Sequence, residues 1–261
     1  MRGRSFDSGK LLVAVPAALF LAFILAPLSA LFIRSTPSAF FAALQQPDVL
    51  SALRLSALTT AIALACAVAL GTPLAYLLAR WSFPGRSVVD ALVDLPIVVP
   101  PAVAGVALLI AFGRRGIFAP FLSGMGIELS FTTAAVVLAQ LFVASPFYIR
   151  AARNGFLAVD RSLEEASATL GSTRFQTFRR ITIPLALPSL IGGAVLTWAR
   201  ALGEFGATIM FAGNLVGVSQ TMPLAVYLKL ESGDLPASIA LSIVLVATSL
   251  IVLLVVRVAA R

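Results

Sequence analysis

Histidine is absent from the 261 residues, and cysteine occurs once, as Cys66 in the run IALACAVAL. A lone cysteine excludes a disulfide within the chain, and without histidine or a second cysteine no Cys/His metal site can be assembled. Among small apolar neighbours Cys66 reads as a packing residue rather than a reactive thiol. Charge is scarce as well: 11% of the residues are Asp, Glu, Lys or Arg, against roughly 25% in soluble domains. Phosphate-binding chemistry is missing too, since the Gly9-Lys10 pair is followed by Leu11 and completes no P-loop. Without histidine or clustered acids in the apolar runs, no catalytic constellation is encoded. The expectations are no cofactor, no metal and no enzymatic activity in this chain, with any driving energy supplied from outside it.

What is present is apolar surface: 60% of the residues are hydrophobic. That composition predicts an all-α polytopic membrane protein, and the length holds six spans of about 20 residues with their loops. The candidates are Leu11–Ile33, Leu50–Ala79, Val88–Phe112, Phe131–Ile149, Leu185–Phe211 and Pro236–Val256. Arg2, Arg4 and Lys10 precede the first run, as in a signal peptide, but its length marks a retained span. The formal charge of +8 does not point to nucleic acid, because no basic face is interleaved with aromatics.

The cations instead fix orientation. With the N-terminus inside, the inner side collects Arg2, Arg4, Lys10, Arg80, Arg86, Arg150, Arg153, Arg161, Arg174, Arg179, Arg180, Arg257 and Arg261. The outer side holds Arg34, Arg54, Arg114, Arg115 and Lys229. The positive-inside rule then places both termini in the cytoplasm.

Some spans carry breakers. Gly71 and Pro73 fall in the second, and Pro96, Pro100 and Pro101 in the third, so these helices are expected to kink or break. The fifth carries Arg200 and Glu204 in LTWARALGEFGATIM. At i, i+4 the two can pair on one helix face, and the cost of a charge in lipid keeps them away from it. Two roles stay open for this pair: a lock between helices, or a border of a translocation path. Gly203 and Gly206 beside it favour close helix approach.

The longest inner loop, residues 159–184, reads VDRSLEEASATLGSTRFQTFRRITIP. Ser162 with Glu165 predicts a capping box and a helix starting near Leu163. Leu163, Ala166, Ser167 and Leu170 follow at i, i+3, i+4 and i+7, giving one small-to-apolar face. Gly171 sits where a helix ends in a left-handed residue, and Thr173 with Gln176 forms a second capping box leading into the fifth span. Two isolated turns are marginal in water, so the unit is expected to pack against something.

Within this loop Glu165, Ala166, Ser167, then Gly171 after three residues, then Ile181 to Pro184 after nine more, resemble the EAA loop of ABC importer permeases. Ser167 replaces the second alanine and Ile183 the leucine. The resemblance implies a coupling helix seated on a separate ATPase subunit, with Glu164, Glu165, Ala166, Ser167, Leu170, Gly171 and Phe175 as coupling candidates. One such loop per chain implies a homodimer with two ATPase copies, fed by an extracytoplasmic oxyanion-binding protein. The stretches FPGRSVVDALVDLPIVVPPAVAGVALLIAFGRRGIF and RALGEFGATIMFAGNLVGVSQTMPLAVYL resemble the sulfate/molybdate branch of these permeases. GEFGATIMFAGN followed by SQTMPLAVYLKLE is closer to its molybdate members.

The whole chain, 1–261, then forms one permease domain with a core of about 50–257. Molybdate is the implied substrate, with tungstate and sulfate as alternatives of like charge and shape. Arg114 and Arg115, outer cations against the general trend, are candidates for an anion-attracting mouth or for solvated loop charges. Asp90 and Asp94 are expected to pair with inner arginines. A stand-alone secondary transporter would show inverted repeats with matching ionisable residues, and none is evident.

Overall fold

A computed structural model describes the backbone of residues 8–259 and the side chains of residues 12–254 other than Ala39. Of the inner cations used above, Arg2, Arg4, Lys10, Arg257 and Arg261 lie outside the described side chains. Among the described residues there is no strand. The first helices are α1 (Ser8–Arg34), α2 (Pro37–Leu44), α3 (Pro47–Arg80), α4 (Arg86–Val98), α5 (Pro101–Phe112) and α6 (Ala119–Gly124). Then come α7 (Thr133–Ala158), α8 (Arg161–Thr169), α9 (Arg174–Thr177), a π-helical turn (Phe178–Thr182), α10 (Ile183–Leu202), α11 (Gly206–Ala212), α12 (Met222–Glu231) and α13 (Leu235–Ala259).

Five helical runs are long and apolar enough to cross a membrane: α1, α3, α7, the continuous Arg174–Leu202 run and α13. The bent pair α4–α5 makes the sixth candidate. The all-α fold class expected from composition is observed, and the candidate spans number five, or six with the bent pair counted as one. The bundle is organised around α7, whose side chains pack against α3 and α10 towards one end and against α5 and α11 towards the other. Tyr148, Ile149, Ala152 and Phe156 meet Ala75, Ala79, Ala186 and Leu190 in the first cluster. Ala135, Val136, Ala139 and Val143 meet Ala104, Leu108, Ala207 and Phe211 in the second. Alanines recur in both and make up most of the second, as expected where helices associate by close van der Waals packing rather than by exclusion of water.

The breakers act unequally. α3 runs through Gly71 and Pro73 as one helix. There the Thr72 hydroxyl hydrogen-bonds the Val68 carbonyl at 2.7 Å and meets the Tyr148 hydroxyl at 2.7 Å, so polar groups near the proline keep protein partners. The third span breaks: the chain bends by 115° between α4 and α5. Each proline of the Pro100-Pro101 pair pushes the residue before it into extended backbone, and Val99 and Pro100 have ψ 128° and 134°.

The fifth span also breaks, which its unbroken hydropathy did not predict. α10 ends at Leu202, Gly203 is its C-cap, and α11 starts at Gly206. Glu204 therefore lies beyond the helix, and the shared helical face expected for it and Arg200 is not formed. The two broken spans are packed together near their breaks. A β-carbon on Gly206 would lie 2.9 Å from Pro101 Cβ, whereas Gly203 has open space apart from its own helix. A β-carbon on Gly105 would lie 2.7 Å from the Ala207 carbonyl oxygen and 2.8 Å from Ala207 Cα. Because backbone cannot yield as a side chain tip does, Gly105→Ala is expected to destabilise the bundle by about 1–3 kcal/mol. Thermal unfolding of the purified protein in detergent reads this directly, and an unchanged midpoint would refute the close contact.

Candidate functional site

The loop between α7 and α10 is built from the outside in. α8 starts earlier than expected, and its N-cap is Asp160, whose carboxylate accepts the Ser162 N–H at 2.9 Å. The Ser162–Glu165 capping box is not formed. Asp160 stands in the capping position and brings a full negative charge to the positive end of the helix, where a hydroxyl brings none. Hydrogen bonding from Ser162, backbone first, holds the Asp160 carboxyl below its usual range.

Glu164 points into its own chain. Its Oε1 accepts from Arg80 Nη2 at 2.9 Å and from the Thr182 hydroxyl at 2.6 Å. The same Arg80 nitrogen donates to the Val159 carbonyl at 3.0 Å, and Arg161 donates to the Arg80 carbonyl at 3.3 Å. Arg80 is 6% exposed and Glu164 17%, so this charge-assisted junction is largely dry and strong. It ties α8 to the end of α3 and to the π turn. Ser167 is likewise buried, its hydroxyl 3.0 Å from that of Thr177.

Gly171 then turns the chain at φ +84°, a conformation that a side chain disfavours. The second capping box is present: Thr173 Oγ1 accepts the Gln176 N–H at 3.3 Å and Gln176 Oε1 accepts the Thr173 N–H at 2.9 Å. Of the face expected to pack as a stripe, Ser167 alone is buried. Leu163, Ala166 and Leu170 are exposed, Leu170 at 87%, and Phe175 is 70% exposed. Glu165 and Gly171 are exposed as well. The seven coupling candidates thus divide in two. Glu164 fixes the loop to the bundle and Ser167 ties α8 to α9, while Glu165, Ala166, Leu170, Gly171 and Phe175 form a tip with apolar side chains in the open. A cavity of about 1040 Å³, lined in part by Tyr76, Arg80, Arg161, Arg174 and Phe175, separates this loop from α3.

The second charged centre lies at the break in the fifth span. Arg200 Nη1 and Glu204 Oε2 are 2.7 Å apart, with the Glu204 side chain 1% and Arg200 29% exposed. Glu204 Oε1 accepts the Ala207 N–H at 2.8 Å, closing the start of α11. Both carboxylate oxygens are therefore used inside the chain, and the pair bridges the end of α10 to α11.

Elsewhere Asp90 pairs with Arg153 and Asp94 with Arg150, each at 3.0 Å, strapping α4 to α7 as the sequence led us to expect of inner-side charges. Arg114 pairs with Glu128 at 3.0 Å on the open surface, which neutralises half of the expected basic mouth, and Arg115 is exposed. No group of metal-ligating side chains occurs among the described residues. Arg80, Thr177 and Thr182 are site residues that the sequence reading missed. Thr182 was visible within ITIP, but Arg80 carried only its sign.

A family model described as "Binding-protein-dependent transport system inner membrane component" matches residues 67–261. The chain belongs to this family. The permease is 42% identical over 244 residues to the Molybdenum transport system permease protein ModB of Mycobacterium tuberculosis, covering 93% of this chain and 91% of that relative. It is 35% identical over 233 residues to the Sulfate transport system permease protein CysT of Salmonella typhimurium, covering 88% and 84%. The crystal structure of a bacterial ABC transporter involved in the import of the acidic polysaccharide alginate shares the permease's fold. Its TM-score is 0.76 at 17% identity, over 97% of this chain and 96% of that one. The fold is that of an ABC importer permease.

Proposed function

We propose that this chain is the membrane-spanning subunit of an ABC importer for molybdate, working as a homodimer in a prokaryotic inner membrane. The observation that carries the reading is the α8–α9 loop: a base held by Glu164, Arg80 and Thr182, and an exposed tip of Leu170 and Phe175. A loop mounted so stiffly passes a push on its tip into α3 and α10 instead of absorbing it. Its natural counterpart is an apolar cleft on an ATPase subunit, one per permease copy. The distribution of arginines supports a cytoplasmic side for this loop. A binding protein on the other face delivers the oxyanion, in keeping with the family's dependence on such proteins.

Higher identity to the molybdenum permease than to the sulfate permease supports molybdate over sulfate. Tungstate, of the same charge and shape, is expected to follow molybdate. The test is ATP hydrolysis by the reconstituted complex with binding protein loaded with molybdate, tungstate or sulfate. Stimulation by the first two and at least tenfold less by sulfate is expected; equal stimulation by sulfate would remove the molybdate assignment.

A further inference from the structure

Resting on the oxyanion reading, we propose that Arg54 and Ser51 form an entry subsite for the tetrahedral oxyanion at the end of the bundle opposite the α8–α9 loop. The two residues share a cavity of about 390 Å³ with Leu50, Leu55, Leu58 and Gly217. No carboxylate lines it. The nearest acid along α3, Asp48, is taken by Lys229 at 2.8 Å, and Lys229 also donates to Gln46 at 2.8 Å.

Two of the other cations of this end are already paired. Lys229 is neutralised by Asp48, and Arg114 by Glu128. Arg54 makes no ion pair and no side-chain hydrogen bond among the described residues, although it is flanked at i−4 and i+4 by the exposed Leu50 and Leu58. Its depth is set by the sequence. Leu55 to Ala79 carries no charge, and at about 1.5 Å per residue that stretch is about 37 Å long, enough to cover the roughly 30 Å hydrocarbon core with about 7 Å over. Arg54 therefore sits where apolar surface ends and water begins.

A guanidinium there, over a floor of leucines, is an anion site by chemistry. It offers paired N–H donors to two oxygens of a tetrahedral dianion. Ser51, one turn earlier on the same face, offers a hydroxyl to a third. One unpaired arginine without further cations binds weakly, which suits a site that must hand its anion onward.

The test compares Arg54→Ala, Arg54→Lys and Ser51→Ala in the complete complex with its ATPase. Three quantities are read: molybdate uptake into proteoliposomes, binding of free molybdate to the detergent-purified complex by equilibrium dialysis, and affinity for the molybdate-loaded binding protein. Loss of a charge-assisted contact predicts that Arg54→Ala lowers uptake and free-anion binding roughly ten- to hundredfold. Arg54→Lys keeps part of both, Ser51→Ala loses several-fold, and binding-protein affinity stays unchanged throughout. Unchanged uptake and anion binding in Arg54→Ala would overturn the proposal. So would a fall in binding-protein affinity matching the fall in uptake, because Arg54 would then pair with a carboxylate of the docking protein. If Arg54→Ala fails to assemble, Ser51→Ala decides alone. Failure of the unmodified complex to take up any oxyanion would instead sink the transport reading, and is told apart because no substitution is involved.

Discussion

Replacing Arg200 by alanine is expected to destabilise the permease by about 3 kcal/mol, more than removing both members of its ion pair. The reason is the burial of Glu204, whose side chain is 1% exposed. Its Oε1 keeps the Ala207 N–H, but Oε2 loses its only cation. Breaking a buried pair from one side leaves an uncompensated charge, which costs about 3–5 kcal/mol. Replacing both partners by apolar residues is often close to neutral. The lower figure applies because Arg200 is 29% exposed and water partly reaches the site. Arg200→Ala with Glu204→Leu is therefore expected to recover much of the loss. Thermal unfolding of the three proteins in detergent, alongside uptake, settles the role of the pair. A single variant that assembles with an unchanged midpoint yet fails to transport would make Arg200 a pathway residue; a single variant less stable than the double makes the pair a lock. Both oxygens of Glu204 being engaged within the chain favours the lock.

Gly171→Pro is expected to abolish coupling while leaving the spans intact. Gly171 has φ +84°, and proline fixes φ near −65°. The substitution also removes the N–H that bonds the Ala168 carbonyl at 2.9 Å, and it misplaces the Ser172 N–H bonded to the Ser167 carbonyl at 3.1 Å. Nothing lies within 4 Å of a β-carbon built on Gly171, so the damage is conformational and stays in the loop. ATPase co-purification is expected to fall at least tenfold and stimulation by loaded binding protein to vanish, with the unfolding midpoint of the permease unchanged. A variant that still retains its ATPase and transports at the normal rate would refute the coupling role of the loop.

Much of this architecture is legible in the sequence because a bilayer imposes one long-wavelength signal. Runs of about 20 apolar residues mark α1, α3, α7, the α10 region and α13, and the double proline marks the break between α4 and α5. Gly171 and the Thr173–Gln176 box are legible for the opposite reason, being set by a few adjacent residues. What stays hidden falls between these scales. α2 and α12, of 8 and 10 residues, are too short to register as spans. The break after Leu202 lies between two apolar segments, where hydropathy is blind to backbone direction, and a lone Gly203 is a weak stop. Arg80, Glu164 and Thr182 meet only through folding, the first two lying 84 positions apart. Asp160 shows a local rivalry resolved by charge: two capping sequences overlap, and the carboxylate prevails over the hydroxyl.

The π turn at Phe178–Thr182 gives the nine-residue gap between Gly171 and Ile181 a meaning beyond spelling. In that turn the Ile183 N–H reaches back five residues to the Phe178 carbonyl, so one residue more than an α-helix needs is accommodated. Each residue of helix is worth about 100° of rotation. Removing the extra residue would let this turn close as ordinary α-helix, whereas one further residue that the turn cannot absorb would rotate the loop by over a quarter of a circle about the axis of α10, aiming Glu164 away from Thr182 and Arg80. The gap is thus an angular phase written as a residue count, and residues added there act on the loop's bearing before they act on any contact.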